Sequence, residues 1–108
     1  MTTALIDLRA AVRNDVDLLV TLAGELDFHT AGQVEPRLTE LAASGRHTLL
    51  LDLSGLSFCD SSGIDLFVRV HHRCRRAGTR LRLCGVPPLV IKSMRVLGVD
   101  RELGRTAP

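Results

Sequence analysis

Apolar and polar residues alternate along the first quarter of the chain, and this period of two predicts two strands, each with one buried face. Over residues 5–12 the side chains predicted to face inward are Ile6, Leu8, Ala10 and Val12. Over residues 16–23 they are Val16, Leu18, Val20 and Leu22. The polar residues 13–15 between these segments favour a turn, so the pair predicts an antiparallel hairpin.

The spacing of apolar residues becomes helical after residues 24–27, which end the second strand. We predict that Thr30 is the N-cap of this first helix and that Gln33 completes a capping box. The predicted buried side consists of Val34, Leu38, Leu41 and Ala42. Pro36 interrupts the pattern, because a proline inside a helix costs about 3 kcal/mol. The helix is therefore expected to begin later or to bend at the proline, and residues 44–45 end it.

Residues 47–53 form a short apolar run, which is typical of a strand covered on both faces. At residues 60–63 the chain turns into a second helix, predicted from about residue 62 to residue 76. The buried stripe of this helix is predicted to contain Leu66, Phe67, Val70, Cys74 and Ala77. Asp65 and Arg69 lie four residues apart on its exposed side, in the order that favours an ion pair.

A last strand and a last helix follow. Residues 80–84 alternate, with Leu81 and Leu83 predicted to face inward. Pro88 suits the first position of a third helix, and Gly98 suits its end. The apolar side of that helix is predicted to contain Val90, Ile91, Met94 and Leu97.

The predicted element order is β-β-α-β-α-β-α. Because the later strands alternate with helices, they are expected to be parallel and joined by right-handed crossovers, next to the antiparallel hairpin. We predict a single α/β domain over residues 1–108, with a mixed sheet of four or five strands and a frayed tail at about residues 104–108. A chain of 108 residues can bury one core, and a hydrophobic content of 45% argues against disorder.

Charge and cysteine content narrow the classes of function. A net charge of +2 gives no strong reason to expect direct contact with nucleic acid or a membrane surface. No run approaches the roughly 18 apolar residues that span a bilayer, and the first residues lack a signal-peptide pattern, so we expect no membrane insertion. Cys59, Cys74 and Cys84 are an odd set without paired spacing. We therefore expect a reduced, cytoplasmic protein in which the cysteines are small buried side chains.

Enzymatic and metal chemistry find little support in the sequence. The Gly-x-Ser-x-Gly motif of serine hydrolases is absent, and His29 is expected in a surface loop. His71 and His72 are adjacent on the second helix, so they face different directions and cannot chelate one ion together. The glycines are too scattered to form a phosphate-binding loop. We expect no catalytic residue, no metal site and no cofactor.

One polar cluster, residues 60–63, lies where the central strand gives way to the second helix. Its simplest interpretation is a helix N-terminus, where polar side chains accept hydrogen bonds from the free amides of the first turn. The alternative is a phosphorylation site, because the amides and the helix dipole accommodate an added anion. Such a charge, close to Asp60 and Asp27, would repel a partner suited to the uncharged surface. Both interpretations remain open on the residues alone.

Three segments match a known family. The first is Gly24-Glu25-Leu26-Asp27 followed by Thr30-Ala31. The second is Leu56-Ser57-Phe58-Cys59-Asp60-Ser61-Ser62-Gly63-Ile64, and the third is Arg95-Val96-Leu97-Gly98-Val99. The chain resembles the STAS-domain family, specifically the stand-alone bacterial anti-sigma factor antagonists. The resemblance covers nearly the whole chain, and it implies the STAS fold with the element order given above.

The resemblance also implies a partner switch. The unphosphorylated protein would bind an anti-sigma factor that is also a serine kinase of the histidine-kinase-like ATPase type, and so release a sigma factor. The kinase would then phosphorylate Ser61, with Ser62 as the alternative, and a metal-dependent serine phosphatase would reverse the modification. The surface implied for the partner consists of Asp27, Thr30, Asp60, Ser61, Ser62, Gly63 and Ile64. The protein itself would be no enzyme.

Two other functions within the same family stay open at this point. One is a subunit of a membrane transporter or lipid-trafficking ATPase complex, and the other is a scaffold in a stress-signalling complex. We expect a monomer or a weak dimer in solution. Pro36 and Cys59 depart from the family pattern, since Cys59 takes a position that is often bulky and apolar. Oxidation of Cys59 beside the serines is a further hypothesis.

Overall fold

Four strands form one mixed sheet in the computed structural model, which describes residues 5–103. In chain order the elements are β1 (Ile6–Val12), β2 (Asp17–Leu26), α1 (Phe28–Ala42), β3 (Thr48–Cys59), α2 (Ser61–Arg76), β4 (Arg80–Cys84) and α3 (Pro88–Val96). β1 and β2 pair antiparallel, whereas β2, β3 and β4 lie parallel in that spatial order. The predicted α/β class, element order and strand directions are therefore confirmed, with four strands in the described part of the chain. The tail predicted to fray, residues 104–108, lies outside the described residues.

The hydrophobic core joins one face of the sheet to the helices. Its largest fully buried side chains are Leu22, Leu26, Leu38, Leu49, Leu51, Leu53, Ile64, Leu66, Phe67, Leu83, Met94 and Leu103. Leu50 alternates with Leu49 and Leu51 along β3, and it is buried as well. Burial on this second face is limited to Leu50, because Thr48 and Asp52 on the same face are only partly buried and Ser54 is exposed. The predicted stripe of α2 is also buried, except for Ala77, which is exposed at the end of the helix.

Ala10 was predicted to face the core but is exposed on the edge strand β1. Three larger residues predicted to face the core are also largely exposed. Val12 and Val16 flank the hairpin turn and are 57% and 41% exposed, and Leu97 follows α3 and is 48% exposed. Alternation and helical spacing determine which side of an element a residue faces. They do not determine whether another element covers that side, and the three larger residues lie at element ends.

The first helix begins at Phe28, and its N-cap is Asp27, three residues before the predicted N-cap. The predicted role of Thr30 as N-cap is therefore wrong, and so is the predicted capping box with Gln33. Thr30 instead occupies the third helical position and completes a reciprocal capping box with Asp27. α1 continues through Pro36 to Ala42, so the proline does not delay the start of the helix.

The central strand β3 continues to Cys59, although the sequence predicted an end near residue 53. Ser54 and Gly55 interrupt the apolar run, but the backbone keeps pairing with β2 through two shifts in register. A Cβ at Gly55 would lie 2.8 Å from the Cβ of Ala23, so the two strands approach closely there. The extension brings Cys59 opposite Leu26 and carries the chain directly to α2.

The segment after α3 folds back on α2. Leu103 is only 2% exposed, and the Glu102 carboxylate lies 2.7 Å from Nε2 of His72 on α2. Gly98 has a φ of +75°, which a glycine adopts without strain, and it ends the turn after α3. These contacts hold the last described residues against the domain.

Two helical glycines give opposite expectations for stability. A Cβ at Gly63 would lie 2.6 Å from Sγ of Cys59 and 2.8 Å from Cδ2 of Leu26, whereas a Cβ at Gly32 would have no neighbour within 4 Å. Gly63→Ala should lower the free energy of unfolding by about 1–3 kcal/mol through overpacking. Gly32→Ala should raise it by up to about 1 kcal/mol, because alanine favours a helix. Urea unfolding followed by circular dichroism measures both, and a loss of similar size in the two variants would contradict this account.

Candidate functional site

Two acidic N-caps lie side by side at one edge of the sheet. Leu26 and Cys59 are partners in the β2–β3 register, and Asp27 and Asp60 follow them directly. The Asp60 N–H donates a hydrogen bond to the Leu26 carbonyl, at 3.2 Å. α1 and α2 therefore begin together at the carboxyl ends of parallel strands, the edge where open α/β folds usually place their binding residues.

Asp27 is held by Thr30. The Asp27 carboxylate accepts a hydrogen bond from the Thr30 N–H at 2.9 Å, and the Thr30 hydroxyl accepts one from the Asp27 N–H at 2.9 Å. The same hydroxyl donates to the Glu25 carbonyl at 2.7 Å. The hydrogen bond from the Thr30 amide lowers the pKa of Asp27, so this carboxylate is charged at neutral pH. Thr30 is 1% exposed, and its side chain supports the loop from beneath.

Asp60 organises the first turn of α2 in the same way. Its carboxylate accepts a hydrogen bond from the Ser62 N–H at 2.9 Å, and its carbonyl accepts from Gly63 and Ile64 at 3.1 and 3.3 Å. Ser61 is exposed and Ser62 is partly buried. The Ser61 side chain is thus open to a second protein, at the positive end of a helix. Gly63 and Ile64 are buried and hold this turn against the core.

The two serines border different grooves. Ser61 lines an opening of about 290 Å³ between α2 and α3, together with Ile64, Lys92, Ser93, Val96 and Leu97. Ser62 lines an opening of about 420 Å³ between α1 and α2, together with Phe28, His29, Glu35, Asp65 and Arg69. We call these the Ser61 groove and the Ser62 groove. Successive residues of a helix point about 100° apart, which is why the neighbouring serines face different grooves.

The grooves differ in charge. In the Ser62 groove, Arg69 forms a bidentate pair with Glu35, at 2.9 and 3.0 Å, instead of the predicted pair with Asp65. This hydrogen bonding lowers the pKa of Glu35, so the carboxylate is charged. Asp65 adds a second carboxylate to that groove. The residues that line the Ser61 groove include one cation, Lys92, and no acid.

Exposed apolar side chains line the Ser61 groove and the groove next to it. Phe58, Leu89, Val96 and Leu97 are 50%, 78%, 80% and 48% exposed, and we call them the apolar rim. Phe58 and Leu89 line an adjoining groove of about 360 Å³ that shares Lys92 and Ser93 with the Ser61 groove. Contiguous exposed apolar side chains of this kind mark protein-binding surfaces.

The sequence reasoning did not identify the apolar rim as a functional surface. A signal existed for its helical part, because Leu89, Lys92 and Val96 have the spacing of one helix face. That face is distinct from the one on which Val90 and Met94 are buried. For Phe58 no signal existed, since its exposure depends on the extension of β3.

Cys59 lies beneath this surface and is poorly suited to redox chemistry. Burial, followed by the charge of Asp60, raises the pKa of its thiol to about 11. A thiol with so high a pKa is almost entirely protonated at neutral pH, and the thiolate is the reactive form. The Cys59 side chain instead provides the contact on which Gly63 sits.

The part of the chain that the structure describes contains neither a candidate metal site nor a membrane-spanning helix. No group of three or more His, Cys, Asp or Glu residues there is placed to hold a metal ion. Among residues 5–103, no helix has the length and apolarity needed to cross a membrane. His71 and His72 lie far along α2 from the two serines, which leaves them outside both grooves.

The sequence of this chain is similar to a family profile and to several characterised bacterial proteins. A family profile described as the STAS domain matches residues 7–108. The chain is 29% identical to the anti-sigma-B factor antagonist of Bacillus subtilis (strain 168) over 87 residues, which cover 81% of this chain and 79% of that protein. It is 30% identical to the anti-sigma F factor antagonist of Paenibacillus polymyxa over 83 residues, which cover 76% of this chain and 71% of that protein.

Solved structures agree on the fold. The anti-sigma factor antagonist SpoIIAA in its unphosphorylated form matches with a TM-score of 0.76 and 22% identity, over 93% of this chain and 88% of that chain. The phosphorylated form, described as a Bacillus cell fate determinant, matches with a TM-score of 0.71 and 22% identity, over 93% of this chain and 91% of that chain. The predicted α/β architecture is thus seen in proteins of known structure.

The high pKa of Cys59 leads to a test of its reactivity. In the folded protein at pH 7.5, Cys59 should react with iodoacetamide at least about tenfold more slowly than an exposed cysteine of ordinary pKa, because so little thiolate is present. The rate should rise with pH until about pH 11. Mass spectrometry of digested protein identifies the alkylated residue, and the urea-unfolded chain is the control. Rapid alkylation of Cys59 in the folded state would contradict the high pKa and would support oxidation of this thiol.

Proposed function

The chain belongs to the STAS-domain family and, within it, to the anti-sigma factor antagonists, and from this membership we propose that it works by partner switching. In its unphosphorylated form it binds an anti-sigma factor that is also a serine kinase. That binding releases a sigma factor, and transcription by the released factor follows. Phosphorylation of Ser61 ends the complex, and a serine phosphatase restores the binding form.

The observation that carries this proposal is the exposure of Ser61 in the first turn of α2, between an acidic cap and the apolar rim. A phosphate brings about −1.5 to −2 charges at neutral pH. Placed beside the Asp60 carboxylate, it turns a largely apolar surface into a strongly anionic one. A partner that buries the apolar rim would then have to desolvate this charge, which is costly without a matching cation.

The charges in the two grooves favour Ser61 over Ser62 as the phosphate acceptor. A phosphate on Ser62 would approach the carboxylates of Glu35 and Asp65, and Arg69 is already engaged by Glu35. A phosphate on Ser61 would face Lys92 instead. Like charges repel and opposite charges attract, so the modified protein is more stable with the phosphate on Ser61.

The protein needs no catalytic group for this function. The kinase partner supplies ATP, and its γ-phosphoryl group passes to the Ser61 oxygen while the hydroxyl proton leaves and ADP forms. The phosphatase cleaves the same phosphorus–oxygen bond with water. The role of this chain is to present Ser61 in a fixed position, and its proposed location is the cytoplasm, where sigma factors and their regulators act.

Substitution of the two serines tests the acceptor. Incubated with candidate anti-sigma kinases and ATP, the wild type and Ser62→Ala should take up one phosphate, and Ser61→Ala should take up none. Ser61→Asp should weaken binding to the kinase, because it adds a permanent negative charge at the docking surface. Mass spectrometry maps the phosphate, and calorimetry measures the affinity. Phosphate on Ser61→Ala but not on Ser62→Ala would move the acceptor to Ser62, and phosphate on neither serine in the wild type would refute the proposal.

Truncation of the apolar rim tests the docking surface. Phe58→Ala and Leu89→Ala should each raise the dissociation constant for the kinase partner about tenfold or more, a loss of about 1.4 kcal/mol. Val12→Ala is the matched control, since Val12 is 57% exposed at the end of the edge strand β1 and outside both grooves. Unfolding curves should show that all three variants remain folded. Equal affinity for the wild type and both rim variants would exclude the rim from the interface.

A further inference from the structure

Lys92 is the only lysine among the fourteen basic residues of the chain, and its position is unusual as well. It is exposed on α3 and lines both the Ser61 groove and the adjoining groove beneath Phe58. Within residues 5–103 it forms neither an ion pair nor a side-chain hydrogen bond. The cation at the centre of the apolar rim therefore has no partner within the described structure.

We propose that Lys92 is the internal receptor for the phosphate carried by Ser61, so that phosphorylation closes an ion pair across the Ser61 groove between α2 and α3. This inference rests on the proposed phosphorylation of Ser61. It adds a second consequence of modification: the phosphate introduces negative charge, and it also withdraws the lysine from the surface that the partner would contact.

The chemistry of the groove suits this role. The lysine ammonium is a compact charge on a flexible stem with three donors, so it can turn toward an anion that arrives after folding. Pairs between an ammonium and a phosphate are charge-assisted and stronger than neutral hydrogen bonds. Ser93, beside Lys92 on the lining of the same groove, offers a hydroxyl donor. No carboxylate lines the groove and competes for the ammonium.

The other charged groups nearby do not cancel the effect. On the α2 side, the Asp60 carboxylate faces the Ser62 N–H, from which it accepts a hydrogen bond, and it does not line the groove. On the β3 side, the Cys59 thiol is neutral, because burial raises its pKa to about 11. On α3, Arg95 follows Lys92 by three residues but lies outside the lining of the groove. Lys92 is thus the cation of the described structure that faces the phosphate.

The change in partner binding follows from the two states of Lys92. Before modification, the ammonium is available to an acidic group on the partner, next to the apolar side chains of Leu89 and Val96. After modification, it is paired within the chain. The partner then meets an added anion and loses a cation at the same time, which enlarges the difference in affinity between the two forms.

The test uses protein with phosphoserine installed at position 61 during translation, so that it depends on no kinase. A ³¹P NMR titration measures the second pKa of the phosphate, which is about 6 for an isolated phosphoserine. Lys92→Gln should raise this pKa by about 0.3–0.7 relative to the phosphorylated wild type, since it removes a cation that favours the dianion. Lys92→Arg should restore most of the difference.

Arg95→Gln is the matched control, because it removes the same charge from the same helix but from outside the groove. It should leave the phosphate pKa within about 0.1 of the wild type, given the screening of exposed charges at moderate salt. An unchanged pKa in Lys92→Gln would overturn the inference and leave the proposed function intact. If the kinase experiments place phosphate on neither Ser61 nor Ser62, the proposed function fails, whatever this titration shows.

Discussion

The pairing of β2 with β3 is the constraint on which the site depends. Because Leu26 lies opposite Cys59, the two strands end together, and Asp27 and Asp60 each cap a helix at the same edge of the sheet. Each carboxylate accepts a hydrogen bond from an amide of the first helical turn. Without this register the helix starts would separate, and Ser61 would lose the acidic and apolar surroundings on which the proposed effect of its phosphorylation depends.

Local patterns predicted the fold well and the site less well. The alternation in β2 and β4 and the apolar stripe of α2 specified the elements, because each pattern is set by neighbouring residues. The order of strands and helices along the chain then gave the strand directions. The cap of α1 was placed three residues late, since Asp27 and Thr30 have the spacing of a capping box in which either residue is a suitable cap. The extension of β3 and the exposure of Phe58 depend on pairing between distant segments, so no local pattern contains them.

Buried residues of the motif have a different task from exposed ones. Thr30, Gly63 and Ile64 match the family motif, but their side chains or backbone lie within the domain. They determine where Asp27, Asp60 and Ser61 are held, while the apolar rim is the proposed contact area. A motif defined by sequence therefore combines support and contact, and only coordinates separate the two. Coordinates also separate Ser61 from Ser62, because the two serines line different grooves on either side of α2.

The seat of Gly63 on Cys59 and Leu26 has a kinetic consequence. The contact leaves no room for the turn to shift inward, so in the proposed switch Ser61 is presented to kinase and phosphatase on a turn that is supported from beneath. In the proposed switch, the rate of response is then set by the kinase and the phosphatase that modify Ser61. The phosphorylated form of this chain lasts as long as its phosphate ester.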